Sequence, residues 1–342
     1  MAKRYLIGLD VGSRFVKAVE LSESGGNFEL TGFRQTEITG PERAKDAIKE
    51  IFAQSGFHTR RVVTAVSGRS VIVRYVMMAQ MPDEELRNVI RFEAGKYIPF
   101  EVEDVVLDCQ RLESGGGGAP AQEGKDMRVL LVAVKRSYVD DHVAIMAEAG
   151  LQPAILDVDS FALGNAFELR GKLAANAPPP ERVIALVDIG AYKTNINILR
   201  GTNSYFTREV YIAGNDFTDA LAKRLSCEAP EAEAQKRNPG DKASEMFESV
   251  ASVLDDLCHE IHLSFDYFEN QFEKEVEEVY LSGGGSLLVG VEETCQRTFG
   301  KPIVRWDPLD GMPIRARGVD ENALHENSSQ LAIGVGLASR LR

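Results

Sequence analysis

The same short pattern occurs twice in this chain, at Tyr5–Leu21 and at Ile184–Leu199. Each copy is an apolar segment that runs into an Asp-x-Gly turn, and a second apolar segment follows the turn. When the two copies are aligned so that Asp188 matches Asp10, 178 residues earlier, Gly190 also matches Gly12. β-Branched and aromatic residues on both sides of a glycine-containing corner are typical of a β-hairpin. Two hairpins of one design predict a duplicated chain whose two domains face each other across a cleft.

Both turns have the chemistry of a phosphate-binding site. In the first, a strand predicted over Tyr5–Leu9 precedes the Asp10 carboxylate, and Gly12 lets backbone N–H groups approach an anion. A carboxylate at this place can hold a metal ion through water. The candidates are Asp10 and Asp188 for the metal ion, Gly12, Ser13, Arg14 and Lys17 in the first turn, and Gly190, Ala191, Thr194 and Asn195 in the second. The alternative is that each Asp-x-Gly is an ordinary hairpin turn.

A phosphate clamped between two such turns resembles the site of the actin-like ATPase superfamily. The resemblance implies an α/β chain with the actin-like ATPase fold, in which two duplicated domains surround a nucleotide cleft. It also implies that the chain binds ATP and Mg²⁺.

Three further segments agree with this resemblance. Gly283, Gly284 and Gly285 follow an apolar strand and precede a predicted helix, as in the adenosine-binding motif of the superfamily, although linkers also use glycine triplets. Glu233 and Lys236 lie one helical turn apart, and relatives place such a pair at the nucleoside; the alternative is a surface ion pair. Gly214 resembles the glycine turn that precedes a helix of the second domain, where an ordinary helix N-terminus is nearly as good an interpretation.

Candidates for catalysis are few. Relatives place the group that orients water near the helix that joins the halves or in the inserted region. Asp159 lies at the start of the joining helix, which is predicted over Asp157–Gly171. Capping of that helix is the alternative role. A metal site at His259 and His262, beside Cys258, has no further ligand pattern to support it. The sequence therefore predicts at most a slow ATPase.

Composition excludes several classes of function. The chain has 342 residues, 44% of them hydrophobic, and a formal net charge of −13, which disfavours nucleic-acid binding. Its four cysteines are far apart in the sequence and predict buried thiols in a reducing compartment. Neither a signal peptide nor an apolar run of about 20 residues is evident, so a cytoplasmic protein is predicted.

The order of the predicted elements suggests the domain organisation. Strands and two helices, one over Glu84–Tyr97, form a block that resembles the inserted αβ subdomain of the division protein FtsA. A Gly-rich loop over Ser114–Asp126 is predicted to be mobile, and one long amphipathic helix is predicted over Lys242–Phe272. The first domain is predicted at 1–70, the inserted subdomain at 71–153, the return to the first domain with the interdomain helix at 154–180, and the second domain at 181–342. Within the second domain we expect an inserted subdomain at 201–275 and a last helix at 328–341 that packs back on the first domain.

One segment narrows the superfamily to a family. Asn88–Asp108, NVIRFEAGKYIPFEVEDVVLD, resembles the signature of the PilM family of type IV pilus assembly, as do LIGLDVGSRFVKAVEL, DIGAYKTNINIL and SGGGSLL. The resemblance implies an ATP-binding scaffold that holds the N-terminal cytoplasmic tail of PilN in a groove between the first domain and the inserted subdomain. It further implies proximity to the pilus motor ATPases and the platform protein, with the inner membrane reached only through partners.

Two other functions remain open from the sequence. One is an active ATPase or small-molecule kinase of the same fold, and the other is an FtsA-type filament protein of cell division. The absence of a sugar-binding insert and of an uninterrupted amphipathic last helix, which contains Gly334 and Gly336, disfavours both.

Overall fold

The computed structural model describes residues 3–54, 56–112, 126–175 and 177–341. Of the loop predicted over Ser114–Asp126, all but Asp126 lies outside the described residues. The described strands are β1 (Arg4–Val11), β2 (Phe15–Ser24), β3 (Asn27–Glu37), β4 (Arg61–Val66), β5 (Val71–Met78), β6 (Val105–Leu112), β7 (Met127–Lys135), β8 (Gln152–Val158), β9 (Val183–Ile189), β10 (Thr194–Arg200), β11 (Asn203–Val210), β12 (Glu278–Ser282) and β13 (Ile303–Arg305).

The α-helices alternate with these strands in the way an α/β chain requires. In the described residues they are α1 (Ala44–Gln54), α2 (Asp83–Glu93), α3 (Arg136–Glu148), α4 (Asp159–Ala174), α5 (Gly214–Leu225), α6 (Ala229–Arg237), α7 (Ala243–Phe272), α8 (Val291–Phe299), α9 (Glu321–Glu326) and α10 (Ala332–Ala338). Short 3₁₀ turns occupy Pro41–Arg43, Ala94–Lys96, Val102–Asp104, Gly240–Lys242, Gly284–Leu287 and Ser328–Leu331.

Two five-stranded sheets have the same design. Their strand orders are β3-β2-β1-β4-β8 and β11-β10-β9-β12-β13. In each, the central strand pairs antiparallel with the next strand of its hairpin and parallel with a strand that arrives after a helical crossover. The central strands are apolar and buried, as expected for strands covered on both faces. The duplicated fold predicted from the two hairpins is confirmed.

The described residues form two compact units, one of Val66–Glu148 and one of the remaining chain, Met1–Ala65 and Ala149–Arg342. The smaller unit has an antiparallel sheet in the order β5-β7-β6, with Leu86 and Ile90 of α2 in its core.

The helix predicted over Glu84–Tyr97 is wrong at its end. Helix α2 stops at Glu93, and a 3₁₀ turn follows because the N–H groups of Tyr97 and Ile98 both donate to the carbonyl of Ala94. The proline after Ile98 prevents the helix from continuing.

Helix α7 confirms the predicted long amphipathic helix. It is one continuous helix of 30 residues, about 45 Å long, and only Lys242 of the predicted range belongs instead to a 3₁₀ turn. Its buried face covers the second sheet.

Helix α4 also differs slightly from its prediction. It begins at Asp159, because Asp157 is the second-last residue of strand β8 and its side chain accepts a hydrogen bond from the N–H of Val158.

The cysteines do not all lie as predicted. Cys258 on α7 and Cys295 on α8 are fully buried, and their sulfur atoms are 3.4 Å apart because the two helices pack together. Cys109 and Cys227 are only half-buried. The prediction of buried thiols is therefore confirmed for Cys258 and Cys295 and wrong for Cys109 and Cys227.

Helix α10 packs against β1, β2 and α4 through glycines. A Cβ atom on Gly8 would lie 1.9 Å from the carbonyl oxygen of Gly334, and one on Gly336 would lie 1.7 Å from that of Ala162. All residues of α10 are buried. The predicted last helix is shorter than 328–341, and the glycines that interrupt its amphipathic pattern are what let backbone meet backbone.

We predict that Gly336→Ala destabilises the protein although alanine is the better helix former by about 1 kcal/mol. The added methyl group meets the backbone of Ala162, which cannot rotate away as a side chain could. The expected loss in free energy of unfolding is about 1–3 kcal/mol, measured by urea denaturation.

Gly56→Ala is the matched control, since a Cβ at this exposed position meets nothing within 4 Å. Its effect should stay within about 0.5 kcal/mol. Equal effects of the two substitutions would show that close backbone packing is not the reason for Gly336.

Candidate functional site

The first Asp-x-Gly turn joins β1 to β2. Asp10 lies inside β1, directly opposite Lys17, and the Lys17 ammonium donates to its carboxylate over 2.8 Å. The N–H of Gly12 donates to the carbonyl of Phe15 and closes the turn at 3.0 Å. Burial by itself lowers the pKa of Lys17, but Asp10, together with Asp188 and Asp159, outweighs burial and the pKa is raised. Asp10 was predicted to follow the strand; the strand continues through it to Val11.

The second turn repeats this construction between β9 and β10. The N–H of Gly190 donates to the carbonyl of Lys193 at 3.0 Å, and Asp188 lies opposite Asn195 as Asp10 lies opposite Lys17. The hydroxyl of Ser282 donates to Asp188 over 2.9 Å. Burial raises the pKa of the Asp188 carboxyl from 3.8 to about 6, although Lys17 and Ser282 oppose this. The second turn therefore buries a carboxylate without a full counter-charge.

The glycine triplet follows β12, the neighbour of β9. Gly283 has a φ of +82°, and a Cβ on it would lie 2.3 Å from the carbonyl oxygen of Ile189. A Cβ on Gly285 would collide with the Ile189 side chain, whereas one on Gly284 would meet only Gln330, at 3.6 Å. Two of the glycines thus allow close packing on β9, and Gly284 is the one with open space.

The helix predicted after the triplet is present and ends at Phe299 as expected, but a short turn comes before it. A 3₁₀ turn occupies Gly284–Leu287, and helix α8 begins only at Val291.

Glu233 and Lys236 lie on α6 with the spacing predicted. Their charged atoms are 2.7 Å apart, and Glu233 is only 6% exposed, so the alternative of a surface ion pair is wrong. Burial by itself raises the pKa of Glu233, but hydrogen bonds from Lys236 and Thr218 outweigh it and lower the pKa to about 2. Lys236 also donates to the carbonyl of Gly214, at the start of α5.

A cavity of about 750 Å³ brings these segments together. Of the residues predicted from the sequence, those that line it are Asp10, Gly12, Ser13, Arg14, Lys17, Asp159, Asp188, Gly190, Ala191, Asn195, Gly214, Glu233, Lys236, Gly283, Gly284 and Gly285. Thr194 does not line the cavity: it is fully buried, and its hydroxyl donates to the carbonyl of Ile212 over 2.8 Å.

Asn195 is unusual among the lining residues. It is 2% exposed, and its side-chain oxygen has no hydrogen-bond partner in the described part of the chain. An unpaired buried oxygen costs free energy, so this atom marks a place where a ligand or water would bind favourably.

A family model described as type IV pilus assembly protein PilM matches residues 8–342. The chain belongs to the PilM family.

Solved and curated proteins agree with this assignment. A structure described as a PilM–PilN type IV pilus biogenesis complex is 30% identical, with a TM-score of 0.84 over 98% of each chain. The cell division protein FtsA of Streptococcus pneumoniae is 21% identical over 89% of this chain and 76% of its own length. MreB 5 of Spiroplasma citri bound to AMPPNP is 13% identical, with a TM-score of 0.54 over 97% of this chain and 94% of its own, and shows the shared fold. The predicted family, its role in type IV pilus assembly and the actin-like fold are confirmed.

Among the residues that the sequence did not predict are two whose charges bear on this PilM-family site, Lys193 and Glu209. The Lys193 ammonium lies 2.9 Å from Asp159 and 2.7 Å from Glu209. Lys193 lies within the second turn and could have been identified from the sequence. Glu209 reaches the site only because β11 pairs with β10, which places Glu209 beside Asn195. The side chain of Asp159, the candidate catalytic group, is thus in an ion pair.

Other sequence features lie away from this cavity. The ring of His262 stacks on Phe299 and lies 3.8 Å from Asp266. Among the described residues, three or more His, Cys, Asp or Glu side chains nowhere come together as a ready metal site. None of the described helices is both long and apolar enough to span a membrane.

We predict that Asp188→Asn stabilises the nucleotide-free protein at neutral pH. Because the pKa of Asp188 is raised in the folded state, the folded state binds this proton more tightly than the unfolded state does. The resulting contribution to the free energy of unfolding is complete below pH 3.8 and is lost as the pH rises through about 6. At about 1.4 kcal/mol for each pKa unit, the substitution should add up to about 3 kcal/mol at pH 7.5 and almost nothing at pH 4. Thermal or urea unfolding at both pH values measures this.

The exposed Asp219→Asn on α5 serves as the control and should show no such pH-dependent gain. A gain from Asp188→Asn of equal size at pH 4 and pH 7.5 would mean that burial of the charge is not its cause.

Proposed function

We propose that this chain is an ATP-binding scaffold of the type IV pilus inner-membrane platform. It holds the N-terminal cytoplasmic tail of PilN, and the binding of nucleotide and of tail are linked. The observation that carries the proposal is the 30% identity, over 98% of both chains, to the protein in a solved PilM–PilN complex. The location of the tail-binding groove stays the prediction made from the sequence, as do contacts with the motor ATPases and the platform protein.

The cavity supports the nucleotide part of the proposal. Two turns of identical hydrogen bonding, one from each duplicated half, offer backbone N–H groups and the charges of Arg14 and Lys17 to phosphates. The unpaired oxygen of Asn195 and the open face of Gly284 indicate that the cavity is built for an occupant. Gly214, Glu233 and Lys236 would then meet the nucleoside. A protein of the same fold, MreB 5, has been solved with AMPPNP bound.

The carboxylates of Asp10 and Asp188 fit a magnesium ion. Both offer carboxylate oxygens and both are buried, and burial raises the pKa of Asp188, a cost to its charged form that a bound cation would offset. A bound Mg²⁺ would neutralise phosphate charge, and these residues would hold it through water.

Asp159, the candidate for orienting or deprotonating water, is paired with Lys193 at 2.9 Å in the cleft without nucleotide. Asp10 and Asp188 would hold the metal ion and would not act as bases, which favours a scaffold over a vigorous enzyme. Because each half contributes one turn, a phosphate held by both turns would stabilise the closed cleft, and a partner that prefers the closed form would then bind more tightly.

We predict that the purified protein binds both Mg-ATP and a fluorescent peptide of the PilN tail, and that each ligand tightens the other by the same factor, about fivefold or more. Phosphate release over hours should be small. Asp188→Ala should lose nucleotide binding and the tightening of peptide binding, whereas the exposed Asp219→Ala should change neither. Fluorescence anisotropy with each ligand alone and then with both measures this.

Two results would contradict the proposal in different ways. Absence of peptide binding together with fast phosphate release, with or without a small-molecule acceptor, would replace the scaffold by an ATPase or kinase. Tight binding of both ligands without any mutual effect would leave the two sites but remove the linkage.

A further inference from the structure

Lys193 is held by two carboxylates at a largely buried position. The exposed fractions of the side chains are 17% for Lys193, 13% for Asp159 and 24% for Glu209. Burial by itself lowers the pKa of Lys193, but the two carboxylates outweigh it, so the pKa is raised. The ammonium group is therefore charged at any physiological pH.

The position of Lys193 places its charge beside the candidate phosphate site. Its carbonyl accepts the N–H of Gly190 that closes the second turn, and its side chain lines the same cavity as Asp10 and Asp188. Asp159 acts electrostatically on Asp188 as well as on Lys193. Asp159 thus interacts both with the Lys193 ammonium and with one of the candidate magnesium ligands.

Lys193 differs from the other lysines of the cavity in the number of its partners. Lys17 and Lys236 each pair with a single carboxylate in the cavity, and removing that partner would leave a buried charge uncompensated. Lys193 has two. It can exchange Asp159 for another anion and still remain paired with Glu209. The Glu209 carboxylate also accepts a hydrogen bond from the hydroxyl of Tyr211 over 3.1 Å.

We propose that Lys193 distinguishes a nucleoside triphosphate from a diphosphate. In the free cleft it holds Asp159, and in the occupied cleft it exchanges Asp159 for the terminal phosphate while it stays paired with Glu209. A diphosphate lacks the group that would draw Lys193 away, so Asp159 remains bound. The inference rests on the proposed function, because it requires the phosphates to lie at the two Asp-x-Gly turns.

Binding of Mg-AMPPNP and Mg-ADP to four forms of the full chain tests this: wild type, Lys193→Met, Asp159→Asn and the double variant. Lys193→Met should weaken AMPPNP binding about tenfold, because a charge-assisted contact is lost, and ADP binding by less than about twofold. Asp159→Asn removes the competitor for the ammonium and should tighten AMPPNP binding. The double variant should behave like Lys193→Met, since the gain from Asp159→Asn needs the lysine.

Lys223→Met, at an exposed lysine of α5 outside the cavity, is the control and should leave both affinities unchanged. If Lys193→Met weakens both nucleotides equally, or if Asp159→Asn weakens AMPPNP binding, the role of Lys193 is overturned while nucleotide binding stands. If the wild type binds neither nucleotide, both proposals fall. Should Lys193→Met not fold, Asp159→Asn alone decides, because the sign of its effect is predicted.

Discussion

The site depends on a balance of buried charges where the two central strands end. Four carboxylates face two lysines there: Asp10, Asp188, Asp159 and Glu209 against Lys17 and Lys193. Burying charges is costly unless they are paired, and burial, with a smaller contribution from Asp10 and Asp159, raises the pKa of Asp188 to about 6. The fold thus keeps a buried carboxylate without a full counter-charge. A bound cation would supply the missing positive charge. Because this uncompensated carboxylate lies where the two duplicated halves meet, the cavity there is a candidate binding site.

The sequence revealed the part of this arrangement that is local. Each hairpin is formed by one continuous stretch of sequence: an apolar strand, a turn with glycine and a returning strand. Both hairpins, and the equivalence of Asp10 with Asp188, could therefore be recognised. The two sheets then follow, because a strand of this kind needs neighbours and covering helices. The placement of Glu233 and Lys236 on one helical face was predictable for the same reason, since a three-residue spacing determines it.

The parts that were missed depend on pairing between distant segments. Glu209 reaches Lys193 through the register of β10 and β11, and no spacing in the sequence shows that register. Thr194 was taken for a ligand because it stands in the turn, but strand alternation points it to the carbonyl of Ile212. The contact of Cys258 with Cys295 depends on the packing of two helices. Each miss is a tertiary contact that neighbouring residues do not encode.

The glycine contacts of α10 also limit how the two halves can move. Side-chain interfaces can slide, because long side chains change rotamer as the elements shift. Where Gly8 meets Gly334 and Gly336 meets the backbone of Ala162, no side chain is present to adjust. Sliding of α10 along either contact would bring backbone atoms into collision, so the helix ties β1 to α4 at a fixed spacing.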